Sequence, residues 1–346
     1  MSRWSTDYQS AIVLTSTAME EAARVGAAEA GVDHLLLALT LDAGSSGRAL
    51  RRLGVDLDTA RKAVDAQHEE QLRSLGVQVP PQPPRPITLG CARDLTLGKD
   101  VEAIIDRAWK RADTAGSASA LLRALAAEPS GLVAAVLGRL GTSPEELVAA
   151  LDSEVTEPPT TAREVPVQSG YDDGDRAAAA FTTTTTTFVP AAPTAVWDLL
   201  STPSRMPQWE PSTGAVHGAP ERCEPGATWT TTAPRRDADD RPLRVRNAYR
   251  VCRVEVLSAQ DSTAIELAMS WPDAPLSNTR HLRAALTPAQ EGTRLHLTES
   301  WYRAERRRGH APVRHLLLGL ILRPWHRFAA RMRLMTLGQG IGRVFR

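Results

Sequence analysis

The chain has 346 residues, 42% of them hydrophobic and 23% charged, enough apolar surface for two globular cores and a linker. Its formal net charge of +1 gives no global electrostatic support for a nucleic-acid partner. Three scattered cysteines, Cys91, Cys223 and Cys252, have no CxxC spacing, which argues against a disulfide framework or a thiolate metal site and fits a reducing cytoplasm.

From the N-terminus, Met1 to Ser10 carry Asp7 and no apolar core, so no signal peptide is expected. Helical periodicity follows, and it occurs twice. Leu35, Leu36, Ala38 and Leu39 recur as Leu121, Leu122, Ala124 and Leu125. Upstream, Ala18, Met19 and Ala22 recur as Ile104, Ile105 and Ala108. Downstream, Leu50-Arg51-Arg52-Leu53-Gly54 recurs as Leu137-Gly138-Arg139-Leu140-Gly141 after a one-residue shift.

A repeat of this kind predicts two similar helical units, at about 5–70 and 95–152. Gly54 and Gly141 are expected helix stops. Asp56 and Ser143 are expected N-caps, the second followed by Pro144, Glu145 and Glu146 in the first turn. The proline-dense segment 79–86 separates the units. Gly98-Lys99-Asp100 lacks the Ser/Thr of a phosphate loop, and Arg93 occupies the place of its first glycine, so no ATP site is expected.

These units resemble the duplicated N-terminal domain of Clp-type unfoldases. The resemblance rests on Asp33-His34-Leu35-Leu36-Leu37-Ala38-Leu39 and Ala49-Leu50-Arg51-Arg52-Leu53-Gly54-Val55-Asp56. It implies a helical bundle over residues 1–152 that docks a protein or peptide, here without the ATPase module. Asp33 and His34 are the candidate partner-binding pair, with fixing a helix start as the favoured reading of His34. The second unit has Ser119 and Ala120 in their place.

Residues 153–180 combine Pro158, Pro159, Pro166, Gly170 and Gly174 with acidic side chains and read as a disordered linker. Beyond it the periodicity changes from helix to strand. Residues 181–189 form a β-branched run closed by Pro190, and Pro193 opens a short helix through Leu200. A turn or helix at 204–209 and strands at 226–232, 243–257, 264–271, 280–286 and 294–302 follow. The chain then reads as one amphipathic helix from about 311 to 337. Val313, Leu316, Leu317, Leu320, Ile321, Phe328, Met332 and Met335 mark its stripe, and Pro324 is an expected kink. The apolar run 316–322 is far shorter than the roughly 20 residues of a membrane span.

Residues 190–200, with Met206-Pro207-Gln208-Trp209-Glu210-Pro211 and Pro225-Gly226-Ala227, make residues 181–340 similar to the SRPBCC/START-like superfamily, which includes polyketide cyclase-like proteins. The expected fold class is therefore multidomain, an all-α duplicated bundle followed by an α+β helix-grip domain. The resemblance implies a bent sheet gripping the last helix around a cavity for an apolar small molecule, with no cofactor or metal.

Trp229, Tyr249, Trp271, His281 and Trp301 are the candidate ligand-binding residues, with large apolar area and a polar handle in most. Among candidate lining positions His281, His296, Glu299, Tyr249 and Arg246, strand alternation places His296 outward. The absence of a Ser-His-Asp order or paired carboxylates favours a non-catalytic binding or regulatory protein. The alternatives are a cyclase/aromatase-like enzyme with His281 and Tyr249 as catalytic candidates, and an adaptor of a Clp-type protease. The tail from Arg303 to Arg346 has Glu305 as its only acid. Ordinary helix packing accounts for it without a membrane or nucleic-acid role.

Overall fold

The computed structural model describes residues 3–78, 83–111, 117–156, 179–237, 240–302 and 313–346. Side chains are described for all of these except 3–10, 111, 117, 156, 179–180 and 313–327. The chain separates into two compact units, Met1–Arg163 and Glu164–Arg346. The linker expected at 153–180 falls almost wholly outside the described residues, and its first residues belong to a helix that continues to Thr156. Residues 79–82, the first half of the proline-dense segment, lie outside them as well.

The first unit consists of α1 (Arg3–Val25), α2 (Val32–Thr40), α3 (Ser45–Arg52) and α4 (Leu57–Ser74), then α5 (Lys99–Arg111), α6 (Ser117–Ala126), α7 (Leu132–Arg139) and α8 (Pro144–Thr156). Two-residue strands β1 (Glu29–Ala30) and β2 (Thr96–Leu97) pair in parallel and tie the two repeats together. Each repeat closes its third helix on a left-handed glycine, Gly54 at φ 74° and Gly141 at φ 75°, a conformation a Cβ would strain.

The next helix of each repeat then starts on a side-chain cap. Asp56 accepts from the amides of Asp58 and Thr59, both at 2.9 Å. Ser143 Oγ accepts from the Glu146 amide at 3.2 Å while Glu146 Oε2 accepts from the Ser143 amide at 3.1 Å. This reciprocal box satisfies donors that a helix start leaves open.

The repeats pack crosswise, α3 on α8 and α4 on α7. Arg48 pairs with Glu154 at 2.7 Å, Arg139 donates to Gln67 at 2.8 Å, and Ser45 and Ser119 meet at 2.8 Å. Between them lies one apolar core, to which the recurring leucines contribute Leu35, Leu36 and Leu39 from one repeat and Leu121, Leu122 and Leu125 from the other.

The second unit is an antiparallel sheet of seven strands in the order β3-β9-β8-β7-β6-β5-β4. Its strands are β3 (Ala179–Val189), β4 (Ala215–His217), β5 (Thr228–Thr232), β6 (Val251–Gln260), β7 (Ala264–Ser270), β8 (Thr279–Ala289) and β9 (Gly292–Tyr302). Helix α9 (Pro193–Ser201) and a 3-10 turn (Pro203–Gln208) follow β3, and α10 (Val313–Arg343) closes the chain. Strand and helix together give the helix-grip arrangement of an α+β fold. Burial alternates with period two along β7, β8 and β9, so each has one face toward the core.

Two expectations change, and one strand was not expected. The strand expected at 243–257 begins only at Val251, because the chain first makes a 3-10 turn at Asn247–Tyr249. Leu243, Arg246 and Tyr249 are exposed in consequence. The short edge strand β4 had no legible alternation. On α10, which runs as one helix through Pro324 to Arg343, Leu334, Leu337 and Ile341 are buried while Phe328, Met332 and Met335 are only partly so. Side chains of the stripe from Val313 to Ile321 lie outside the described residues.

Glycines explain the shifted face. A Cβ at Gly338 would lie 3.1 Å from Cγ2 of Thr187, and one at Gly340 would lie 2.7 Å from the carbonyl oxygen of Trp209. Backbone cannot yield as a side-chain tip can. Gly340→Ala is therefore expected to destabilise the C-terminal half by about 1–3 kcal/mol despite alanine's higher helix propensity. Gly338→Ala is expected to cost less. Urea unfolding monitored by tryptophan fluorescence reads both.

Candidate functional site

Strand registers align one inner-face row across the sheet: Trp229 beside Val254, Val254 beside Met269, Met269 beside Arg280, Arg280 beside Trp301, and Trp301 beside Phe181. The neighbouring row contains Val256, Leu267, Leu282 and Glu299. Farther along, Ile265, Ala284 and Leu297 continue the face, and it is apolar there. The charged residues of this face thus gather at one end of an otherwise apolar surface.

Arg280 is 1% exposed and Glu299 is fully buried. A bare buried charge would be very costly, so each must be paired. Arg280 Nη1 donates to Glu210 Oε2 at 2.9 Å, and Arg280 Nε lies 3.4 Å from Glu299 Oε1. Glu210, carried by the loop after the 3-10 turn, also accepts from Ser212 Oγ at 2.7 Å. Trp301 Nε1 donates to Glu299 Oε1 at 2.7 Å. From α10, half-buried Arg333 brings its guanidinium 5.7 Å from the Trp301 ring centre and 4.0 Å from Glu299 Oε1, a cation–π distance.

The electrostatics follow from this geometry. Burial pushes the Glu210 carboxyl up, but the charges of Arg280 and Arg333, with hydrogen bonds from Ser212 and Arg280, outweigh it and hold the group down at about 2. Burial opposes the charge on Arg280 as well, and the two carboxylates overcome it and raise its pKa. Arg333 is lowered by burial and by repulsion from Arg280. Burial drives the Cys252 thiol up to about 11 and that of Cys223 to about 12, so neither is a thiolate nucleophile at neutral pH.

Pairing leaves some polar atoms over. Arg280 Nε and Nη2, Glu299 Oε2 and the indole nitrogens of Trp209 and Trp229 are buried without a hydrogen-bond partner among the described residues, Nε being held beside Glu299 Oε1 by charge alone. Such atoms are rare in native interiors. Beside them runs an aromatic series. Phe181 stacks on Trp301 with centroids 6.2 Å apart, Trp301 on Trp271 at 6.2 Å, and Tyr249 meets Trp271 edge-on at 6.0 Å.

Of the expected ligand-binding residues, Trp229, Trp271 and Trp301 thus belong to this end of the sheet. Tyr249 reaches it from outside the strands, 41% exposed on its 3-10 turn. His281 does not reach it. Its strand parity turns it to the outer face, where its ring packs 4.2 Å from that of Tyr302. His296 also faces outward, with Nδ1 3.1 Å from Thr186 Oγ1. Exposed Arg246 lines nothing on the inner face.

The residues that the sequence pattern did not single out are Arg280, Glu210 and Arg333. For Arg280 a signal existed, because it shares parity with Leu282, Ala284 and Leu286. Glu210 and Arg333 come from a loop and a helix, and nothing in the sequence spacing brings them to β8.

In the first unit, Asp33 and His34 are buried. The Gly31 amide donates to His34 Nδ1 at 3.0 Å, Asp33 Oδ1 lies 2.9 Å from that nitrogen, and His68 Nε2 is 3.3 Å from Asp33 Oδ2. Burial raises the Asp33 pKa and the His34 contacts more than reverse this, leaving it lowered. The pair fixes the start of α2, the helix-start role expected of His34, and both residues are buried.

Comparison with known families agrees with both halves. Residues 5–120 match the Clp repeat (R) N-terminal domain, and residues 180–333 match the family described as polyketide cyclase / dehydrase and lipid transport. Among curated proteins no match is found. Similar solved structures include protein CV1439 from Chromobacterium violaceum, at 15% identity over 45% of this chain and 96% of that one, with TM-score 0.28. Others are protein MLL2253 from Mesorhizobium loti, at 16% identity over 45% and 96% with TM-score 0.27, and protein Ms6760 from Mycobacterium smegmatis, at 14% identity over 47% and 89% with TM-score 0.31. Two separate spans, each less than half of the chain, are thus similar to two families: residues 5–120 to the Clp repeat (R) N-terminal domain and residues 180–333 to polyketide cyclase / dehydrase and lipid transport proteins.

Proposed function

We propose that the C-terminal half is a binding module for a largely apolar small molecule, and that the helical half serves as its protein- or peptide-docking partner module. The observation that carries this reading is the set of buried polar atoms left unpaired on an apolar inner face. An apolar body would lie along Val256, Leu267, Leu282 and Ala284, and a polar group would meet Arg280, Glu299 and the indole of Trp229. Catalysis through His281 and Tyr249 has no support from their positions. Glu210, ionised down to about pH 2, is unsuited to donate a proton near neutrality. The domain order and boundaries proposed are a helical domain over 1–152 and a helix-grip domain over 181–340, and a Clp-linked adaptor role remains the second use of the helical half.

Nile red, which is neutral and brightens in apolar surroundings, is expected to bind the full chain saturably at one site per chain. Its signal should vanish across the unfolding transition seen by tryptophan fluorescence. A linear, unsaturable rise, or none, overturns the reading.

A further inference from the structure

We infer that the polar end of the inner face selects a neutral planar molecule whose edge places a hydrogen-bond acceptor beside a donor, and that it discriminates against carboxylates of the same shape. This inference rests on the binding reading above and specifies the chemistry of that site.

The charge balance comes first. Arg280 and Arg333 are matched formally by Glu210 and Glu299, all within one connected set of contacts. Within this set, among the described residues, no unmatched cation remains to receive an anion. A ligand carboxylate approaching Arg280 Nη2 would lie among two buried carboxylates, and burying that extra charge is strongly disfavoured.

The unpaired atoms then state what fits. Arg280 Nη2 offers a donor and Glu299 Oε2 an acceptor, both buried and without a partner among the described residues. A carbonyl oxygen next to an N–H or O–H satisfies both. A carboxylate satisfies only the first and leaves Glu299 facing a like charge. The stacked rings of Phe181, Trp301 and Trp271 favour a flat skeleton.

A matched pair tests this on the full chain: 2-naphthamide and 2-naphthoate, equal in shape and different in charge and donor, at neutral pH where the acid is ionised. Displacement of Nile red and direct quenching of tryptophan fluorescence are both read. The amide is expected to bind at least about tenfold more tightly. In Glu299→Gln the cluster gains one net positive charge, and the gap should close or reverse. If that variant does not fold, Arg333→Gln, a change at a half-exposed side chain, should widen the gap instead.

Equal or tighter binding of naphthoate by the wild type overturns the inference, as does a gap unchanged in whichever variant folds. If Nile red binds and neither naphthalene displaces it or quenches, the inference fails while the binding reading stands. If neither Nile red nor the amide binds, both fail.

Discussion

Arg280→Ala is expected to destabilise the C-terminal half by about 3–5 kcal/mol. The change removes the only fully buried cation among the described residues of the second unit and takes away the partner that Glu210 and Glu299 share. Only half-buried Arg333 then offsets two carboxylates. All of the eight tryptophans except Trp4 and Trp109 lie in this half, so urea unfolding followed by tryptophan fluorescence reports on it.

The pH dependence supplies a second signature. In the wild type the folded pKa of Glu210, about 2, lies below its ordinary 4.5. Its contribution to stability is therefore complete above about pH 4.5 and is lost as the pH falls toward 2. Without Arg280 burial is expected to raise the Glu210 carboxyl instead, and mild acid, from pH 7 toward about 5, should stabilise the variant relative to neutral pH. A loss below about 1 kcal/mol, or a variant with the wild-type pH slope, would show that this cluster does not hold the sheet together.

Leu36→Ala and Leu122→Ala form a pair of expected results in the helical half. Both side chains are fully buried at equivalent places in the two repeats. Each truncation should cost about 2–5 kcal/mol, and the two should agree within about 1 kcal/mol. Far-UV circular dichroism during urea unfolding of the full chain measures them. A Leu122→Ala variant of nearly wild-type stability, beside a strongly destabilised Leu36→Ala, would mean that only the first repeat builds the core.

The helical half was legible because its signals are local. A constant sequence offset exposed the duplication, and Gly54, Gly141, Asp56 and Ser143 mark helix ends through their own backbone and side-chain chemistry. The sheet was legible where alternation is strict, along Ala264–Ser270 and Gly292–Tyr302. It failed at Leu243–Arg250, where β-branched and aromatic residues share a parity but the chain turns at Asn247–Tyr249. Propensity there competes with a turn that only tertiary context decides.

The candidate site was half visible. The pattern of aromatic residues at strand positions or ends named Trp229, Trp271 and Trp301, which the structure gathers at one end of the sheet, and parity alone would have turned His281 outward. Of the charged cluster only Glu299 was among the candidate lining positions; Glu210, Arg280 and Arg333 were missed because they meet through tertiary structure. Glu210 and Arg280 are 70 residues apart, and each reads singly as a surface charge. On α10, charged and apolar residues interleave so closely that no stripe identifies the face set by Gly338 and Gly340.

The inner face of the C-terminal sheet is expected to receive a small molecule at its Arg280 end. A crystal structure of the full chain soaked with 6-bromo-2-naphthamide tests it most directly, because the bromine gives an anomalous signal independent of the refined protein. The expected peak lies over the apolar rows, with the amide against Arg280 and Glu299 and the ring beside Trp301. A sheet face filled by the chain's own side chains, with Arg280 Nη2 and Glu299 Oε2 bonded to protein groups and no bromine there, contradicts it.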